Sequence, residues 1–180
     1  MPKIDFEKYP KIIQMHSSAG CIPVNIENAL KYYGESNYDE LKLLYFCQTR
    51  SIPLGFKELC PELAKILKDF EFIFKGIGDF NHSIKEVVDY IKSNIDNQTP
   101  VLVSFKQMIK VPIMEKNNPK PIGWQDAEVA HIRTAVEYND TELLFFDPGD
   151  GEIRRFNYTS NEFSENIKGD YHTLVIKKKE

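Results

Sequence analysis

Cys21 opens a helical pattern directly after Ser17, Ser18, Ala19 and Gly20. A thiol at a helix start meets the positive end of the helix dipole and the unpaired amides of the first turn. Both favour the thiolate, the form that attacks a carbonyl carbon. The small residues ahead of it would let a substrate backbone come close. A cysteine nucleophile also needs an imidazole to take up its proton and later protonate the leaving group. Of the four histidines, His131 is the best placed, because it begins a strongly apolar strand pattern and strand ends feed side chains into clefts. Asp147 ends the next strand in the run Asp147-Pro148-Gly149, where it can accept from the imidazole and hold its tautomer. Gln14 precedes Cys21 on the segment that runs up to the helix start. Its side-chain amide, with the backbone amide of Cys21, would steady a developing oxyanion. Each residue has a plainer reading: a buried small hydrophobe for Cys21, a core histidine, a turn-forming aspartate, an exposed glutamine. It is the joint placement of the four at element ends that favours a nucleophilic site.

The remaining candidates rank lower. His16 is close to Cys21 but has no strand-end partner, His82 precedes a helix cap, and His172 begins the last strand. No two histidines have metal-ligand spacing, so neither a metal nor any other cofactor is expected. Asp147, Asp150 and Glu152 lack the full ligand series of a calcium loop. Cys47 and Cys60 fall within helical stripes and are expected in the core.

The elements that must position these residues change in character near Pro100. Before it, apolar residues recur at helical spacing. One helix follows Cys21, with Ile26, Ala29, Leu30 and Tyr33 on one face and Gly34 as its end. A second starts at Asn37 with Glu40 as capping-box partner and Leu41, Leu44 and Tyr45 inward. A third covers residues 56–70 with Leu59, Leu63, Ile66 and Leu67 inward, Pro61 breaking it or beginning its main part. A short strand is expected at 72–75. A fourth helix is capped by Ser83 and Glu86. After Pro100, strands are expected at 101–105, 130–138, 142–146, 152–156 and 171–176, with a hairpin at 139–141 and a short helix opened by Thr159. Residues 106–128 hold Pro112, Pro119, Pro121 and Gly123 and carry little periodic signal. They read as a long irregular connection, a lid or a binding rim. Helices first and an antiparallel sheet second is an α+β arrangement. The expectation is a single domain over residues 1–180, its helical half (1–99) carrying the cysteine and its sheet half (100–180) the histidine and aspartate.

Composition narrows the class. The 180 residues are 42% hydrophobic and 12% aromatic, which excludes a disordered or collagen-like chain. With 23 basic and 27 acidic residues the formal charge is -4, which gives no support for nucleic acid as a partner. The longest apolar run, residues 43–47, falls far short of the ~18 residues of a membrane helix, and no signal-peptide core is visible. Three cysteines, an odd number, suit a reducing cytoplasm better than a disulfide framework. The sequence says nothing of oligomeric state.

Taken in order, Gln14, then Gly20-Cys21 opening a helix that closes on Lys31-Tyr32-Tyr33-Gly34, then Ala130-His131-Ile132, then Phe146-Asp147-Pro148-Gly149, resemble the papain-like cysteine peptidases. More narrowly they resemble the family that includes the leader-cleaving domains of bacteriocin exporters, which cut after a double glycine. The stretch from Thr159 to Ile176, with Glu162-Phe163 and Gly169, resembles the carboxyl end of that family. The resemblance implies a papain-like fold and a peptide or protein substrate. It also implies Cys21 as nucleophile, His131 as proton shuttle, Asp147 as its orienting partner and Gln14 as oxyanion donor.

Two other readings stay open. The same three side chains could transfer the acyl group to an amine or deamidate glutamine, since water and amines compete for one thioester. Alternatively the fold is kept with an idle site, as a peptide- or protein-binding module that grips its partner through residues 106–128. The family usually has Asp before the cysteine and Gly or Ala after it, where this chain has Gly20 and Ile22-Pro23.

Overall fold

The computed structural model describes residues 3–5, 7–15, 20–115 and 120–179. His16, Ser17, Ser18, Ala19 and Pro119 lie outside the described residues. Helix α1 (Cys21–Tyr32) turns Ile26, Ala29 and Leu30 into the core but is enclosed on its other sides too, with Val24, Asn25 and Asn28 also buried, and it tolerates Pro23 because the first turn has no intrahelical use for its missing amide. The chain leaves it through Gly34 at φ 84°, with the Glu35 amide returning to the Leu30 carbonyl.

Helix α2 (Glu40–Arg50) departs from expectation in its cap and its face. Asp39, not Asn37, is the cap, its carboxylate accepting from the Lys42 amide at 2.8 Å. Leu43 and Cys47 point inward, while Leu41 and Tyr45 are exposed. The expected stripe of Leu41, Leu44 and Tyr45 is therefore rotated away from the core, because the side packed towards α1 decides the inner face. Helix α3 (Phe56–Ile66) carries Pro61 on its exposed side without breaking, and ends sooner than expected because Phe70 already belongs to a strand. Helix α4 (Ile84–Asp96) is capped by Ser83, whose hydroxyl accepts from the Glu86 amide, and buries Val87, Val88, Ile91 and Ile95.

Six strands form one antiparallel sheet: β1 (Phe70–Lys75), β2 (Val101–Ile113), β3 (Gly123–Tyr138), β4 (Glu142–Phe146), β5 (Ile153–Asn157) and β6 (Thr173–Lys178). Their order is β1-β6-β2-β3-β4-β5. A short helix α5 (Glu162–Asn166) lies between β5 and β6. The architecture is α+β. The sheet is not confined to the carboxyl half, since β1 from the helical half forms its edge beside β6.

Alternation along the strands divides the core between the two sheet faces. Leu102, Ile132, Leu174 and Ile176 pack with residues of α1, α2 and α3. Val101, Val103, Phe105, Ala135, Phe145 and Val175 pack with α4, Phe163 and Ile167. Ile4 and Tyr9 of the amino-terminal segment join Val136, Leu144 and Phe146 in a third cluster.

The expected irregular connection at 106–128 is largely regular. β2 and β3 run on past the core as a two-stranded ribbon, paired through Lys106↔Ala130 to Ile113↔Gly123. No strong periodic signal marks this stretch because no ribbon side chain is fully buried: Met108 and Trp124 on one face are each 63% exposed, and Ile109 and Ile113 on the other are 36% and 37% exposed. Pro112 is accommodated because β2 has no neighbour on its other side there.

Candidate active site

The first turn of α1, the middle of β3 and the turn after β4 meet at one place. His131 does not begin its strand as expected, since β3 starts eight positions earlier at Gly123. It stands where the ribbon leaves the core, paired with the fully buried Phe105. β4 pairs with β3 as far as Thr134↔Phe146, so Asp147 emerges beside His131 and Arg133. The turn 147–151 is closed by the Gly151 amide on the Asp147 carbonyl at 2.9 Å, with Gly151 at φ 80°.

His131 Nε2 lies 2.7 Å from Asp147 Oδ1, and both side chains are buried. The same oxygen accepts the Gly149 amide at 2.9 Å. Nε2 is committed to Asp147, and Cys21 is near enough to act on the imidazole beside it. Burial pulls His131 towards neutrality. Its hydrogen bonds to Asp147 and Cys21 and their charges outweigh that, and the ring is pushed up to about 9. For Asp147, burial favours the acid, but His131, the Gly149 amide and Arg133 together hold the carboxyl well below the usual carboxylate range. At neutral pH the pair is therefore a carboxylate against an imidazolium.

Cys21 is buried, as the first residue of α1, and Gly20 supplies no side-chain cap to the helix. All three cysteines are free, and burial pushes the Cys60 thiol up to about 12, as expected of an inert core residue. Gln14 is brought to the same place by its backbone. Its amide donates to the Pro148 carbonyl at 2.8 Å, and the adjacent Ile13 packs on Gly151. The strap 12–15 is fastened twice more. Ile12 exchanges hydrogen bonds with the Asn28 amide at 2.7 and 3.0 Å, and the Met15 amide donates to Glu40 Oε2 at 2.9 Å.

Two residues that the sequence reading passed over complete the site. Asn25, fully buried in α1, donates to both the Cys21 and the Ile132 carbonyls (2.7 and 2.9 Å) and accepts from the Thr134 hydroxyl at 2.7 Å. It thus ties the cysteine-bearing turn to the histidine-bearing strand. Within an apolar helical stripe, an Asn gives no signal of such a role. Arg133 donates from Nε to Asp147 Oδ2 at 2.7 Å. The alternation His131-Ile132-Arg133 does signal it, because residues two apart on a strand share a face.

Of the other described histidines, His172 faces Asp170 at 3.2 Å, and His82 lies just before α4 at φ 57°. Among the described residues, no group of three His, Cys, Asp or Glu side chains could hold a metal ion. No described helix is long and apolar enough to cross a membrane.

No protein-family model matches the sequence, and no curated protein matches it. A solved structure does. The crystal structure of a "putative C39-like peptidase from Bacillus anthracis" superimposes with a TM-score of 0.59 and 15% identity, covering 99% of each chain. The chain has a C39-like peptidase fold. The likeness spans helices and sheet alike, so the arrangement of an amino-terminal helical part on an antiparallel sheet is shared over nearly the whole of both chains.

Proposed function

We propose that this protein is a cysteine peptidase acting as one papain-like domain, with Cys21 as nucleophile, His131 as general acid and base, Asp147 as the group that orients His131, and Gln14 as an oxyanion donor. The observation that carries the reading is the buried His131–Asp147 hydrogen bond with the buried Cys21 acting on the same imidazole, assembled from three segments remote in sequence. A structural aspartate–histidine pair has no need of a thiol beside the ring.

The Cys21 sulfur, as thiolate, attacks the peptide carbonyl carbon, and the oxygen gains the negative charge that Gln14 and the Cys21 amide stabilise. The C–N bond then breaks as His131 Nδ1 passes its proton to the amine. A water molecule adds to the resulting thioester, giving its proton to His131, and the C–S bond breaks to release the carboxylic acid product. Asp147 stays ionised throughout. The sequence motifs resemble those of double-glycine leader peptidases, which makes peptides with paired small residues the first substrates to try. Three unbridged cysteines favour a reducing compartment such as the cytoplasm.

Iodoacetamide labelling at neutral pH with site identification by mass spectrometry tests the nucleophile. Labelling of Cys21 is expected to run well ahead of Cys47 and Cys60 and to vanish in Cys21→Ala. Equal labelling of parent and variant rejects the reading. Product analysis on a peptide library then separates hydrolysis from acyl transfer or deamidation.

A further inference from the structure

We infer that Arg133 is a positioning residue which shares the Asp147 carboxylate with His131 and so lowers the pH at which the imidazole gives up its proton. The carboxylate is divided between its oxygens. Oδ1 takes His131 and the Gly149 amide, and Oδ2 takes Arg133 Nε at 2.7 Å, with Arg154 Nε 3.6 Å away. The Arg133 side chain is only 12% exposed. Its guanidinium lies over the Phe105 ring at 4.9 Å and near Phe156 at 5.9 Å, a stacked seat that fixes it against Asp147. Arg154, by contrast, is 42% exposed and also pairs with Asp150.

Among the described residues, the groups that face this pair come from four elements. Cys21 from α1 and Asp147 from the turn face His131. His131 and Arg133 from β3 and Arg154 from β5 face Asp147, with Asp150 joined through Arg154. A carboxylate with an imidazole as its sole cationic partner would hold the ring protonated to high pH. A general acid must release its proton to the leaving group and recover it, and it does this best when its own proton affinity is not far from the working pH. A fixed guanidinium on the second oxygen repels the imidazolium and draws off part of the carboxylate's field. This catalytic consequence rests on the peptidase reading, whereas the coupling between the three side chains does not.

The test is an NMR titration of the His131 ring, assigned by its loss in His131→Asn, in the parent protein and in Arg133→Gln, Arg133→Lys and Arg154→Gln. Arg133→Gln is expected to move the midpoint upward by about half a pH unit to one unit. Arg154→Gln should move it the same way by less, and Arg133→Lys should leave it nearer the parent. On a cleaved peptide, the alkaline limb of kcat/KM should shift with the midpoint. An unchanged or lower midpoint in folded Arg133→Gln overturns the inference. Should that variant not fold, an unmoved midpoint in Arg154→Gln does the same. Failure of the peptidase reading shows differently: Cys21 is not labelled, while the ring titration still responds to Arg133.

Discussion

β2 and β3 remain paired from Val101↔Ala135 to Ile113↔Gly123, yet their two ends live in different surroundings. At the inner end Val101, Leu102, Val103 and Phe105 are wholly buried. At the outer end Lys106, Met108, Lys110 and Trp124 stand in solvent, and Lys110 pairs with Asp126 at 2.8 Å. The ladder thus continues beyond the point where full burial of its side chains stops. The boundary falls at Phe105↔His131. The imidazole is the last well-buried residue of β3 before the ribbon, with exposed Ala130 next to it. That position is dry enough to strengthen the hydrogen bond to Asp147.

The comparison breaks first at the inner end. Phe105 touches Phe145, Phe156 and Phe163 and carries the Arg133 guanidinium on its face. Phe105→Ala is expected to cost about 3–5 kcal/mol in urea unfolding. A loss below about 1 kcal/mol would mean that the inner end is packed no better than the ribbon.

The boundary residue is expected to show a pH signature. His131 is raised in the folded protein above its ordinary value of 6.5, so its stabilising contribution is complete below that value and is lost as pH rises through about 9. Asp147 is depressed, so its contribution is present above the ordinary carboxylate value near 4 and lost only in strong acid. His131→Asn should therefore be less stable than the parent at pH 6, by roughly 2–3 kcal/mol. The gap should narrow by pH 10. A gap that is constant across this range denies the coupling.

The smallest effect belongs to the outer end. Met108→Ser and Trp124→Ser should change stability by no more than about 0.5 kcal/mol, because both side chains are already mostly in solvent. The informative readout there is KM. A rise in KM with unfolding unchanged would make the ribbon a wall of the substrate cleft, and an unchanged KM would leave it outside.

What was legible in the sequence follows the same divide. Residues with a buried face announced themselves by period: α1 from Ile26, Ala29 and Leu30, α4 from its Ser83 cap, and the inner strands from Val101 to Phe105. The candidate residues Cys21, His131 and Asp147 stood out by residue type at element ends, and of these the structure sets His131 against Asp147, although His131 lies within its strand. The ribbon was not legible, since clear strand periodicity in sequence comes from one face being fully buried, and here one face is exposed and the other only half-covered. The inner face of α2 was missed because Leu41, Leu43, Leu44 and Tyr45 offer two competing stripes, and only the neighbour decides between them. Asn25 and Asn28 were missed because a side-chain amide becomes a staple only once the backbone it spans has arrived.

The strap at 12–15 carries a practical corollary for anyone shortening the protein. Although it sits near the amino terminus, removing it would strip the Asn28 side chain, wholly enclosed, of the main chain it grips on both sides. Glu40, almost entirely enclosed too, would lose the Met15 amide. Deleting the first fifteen residues should thus wound the interior as deeply as a core substitution.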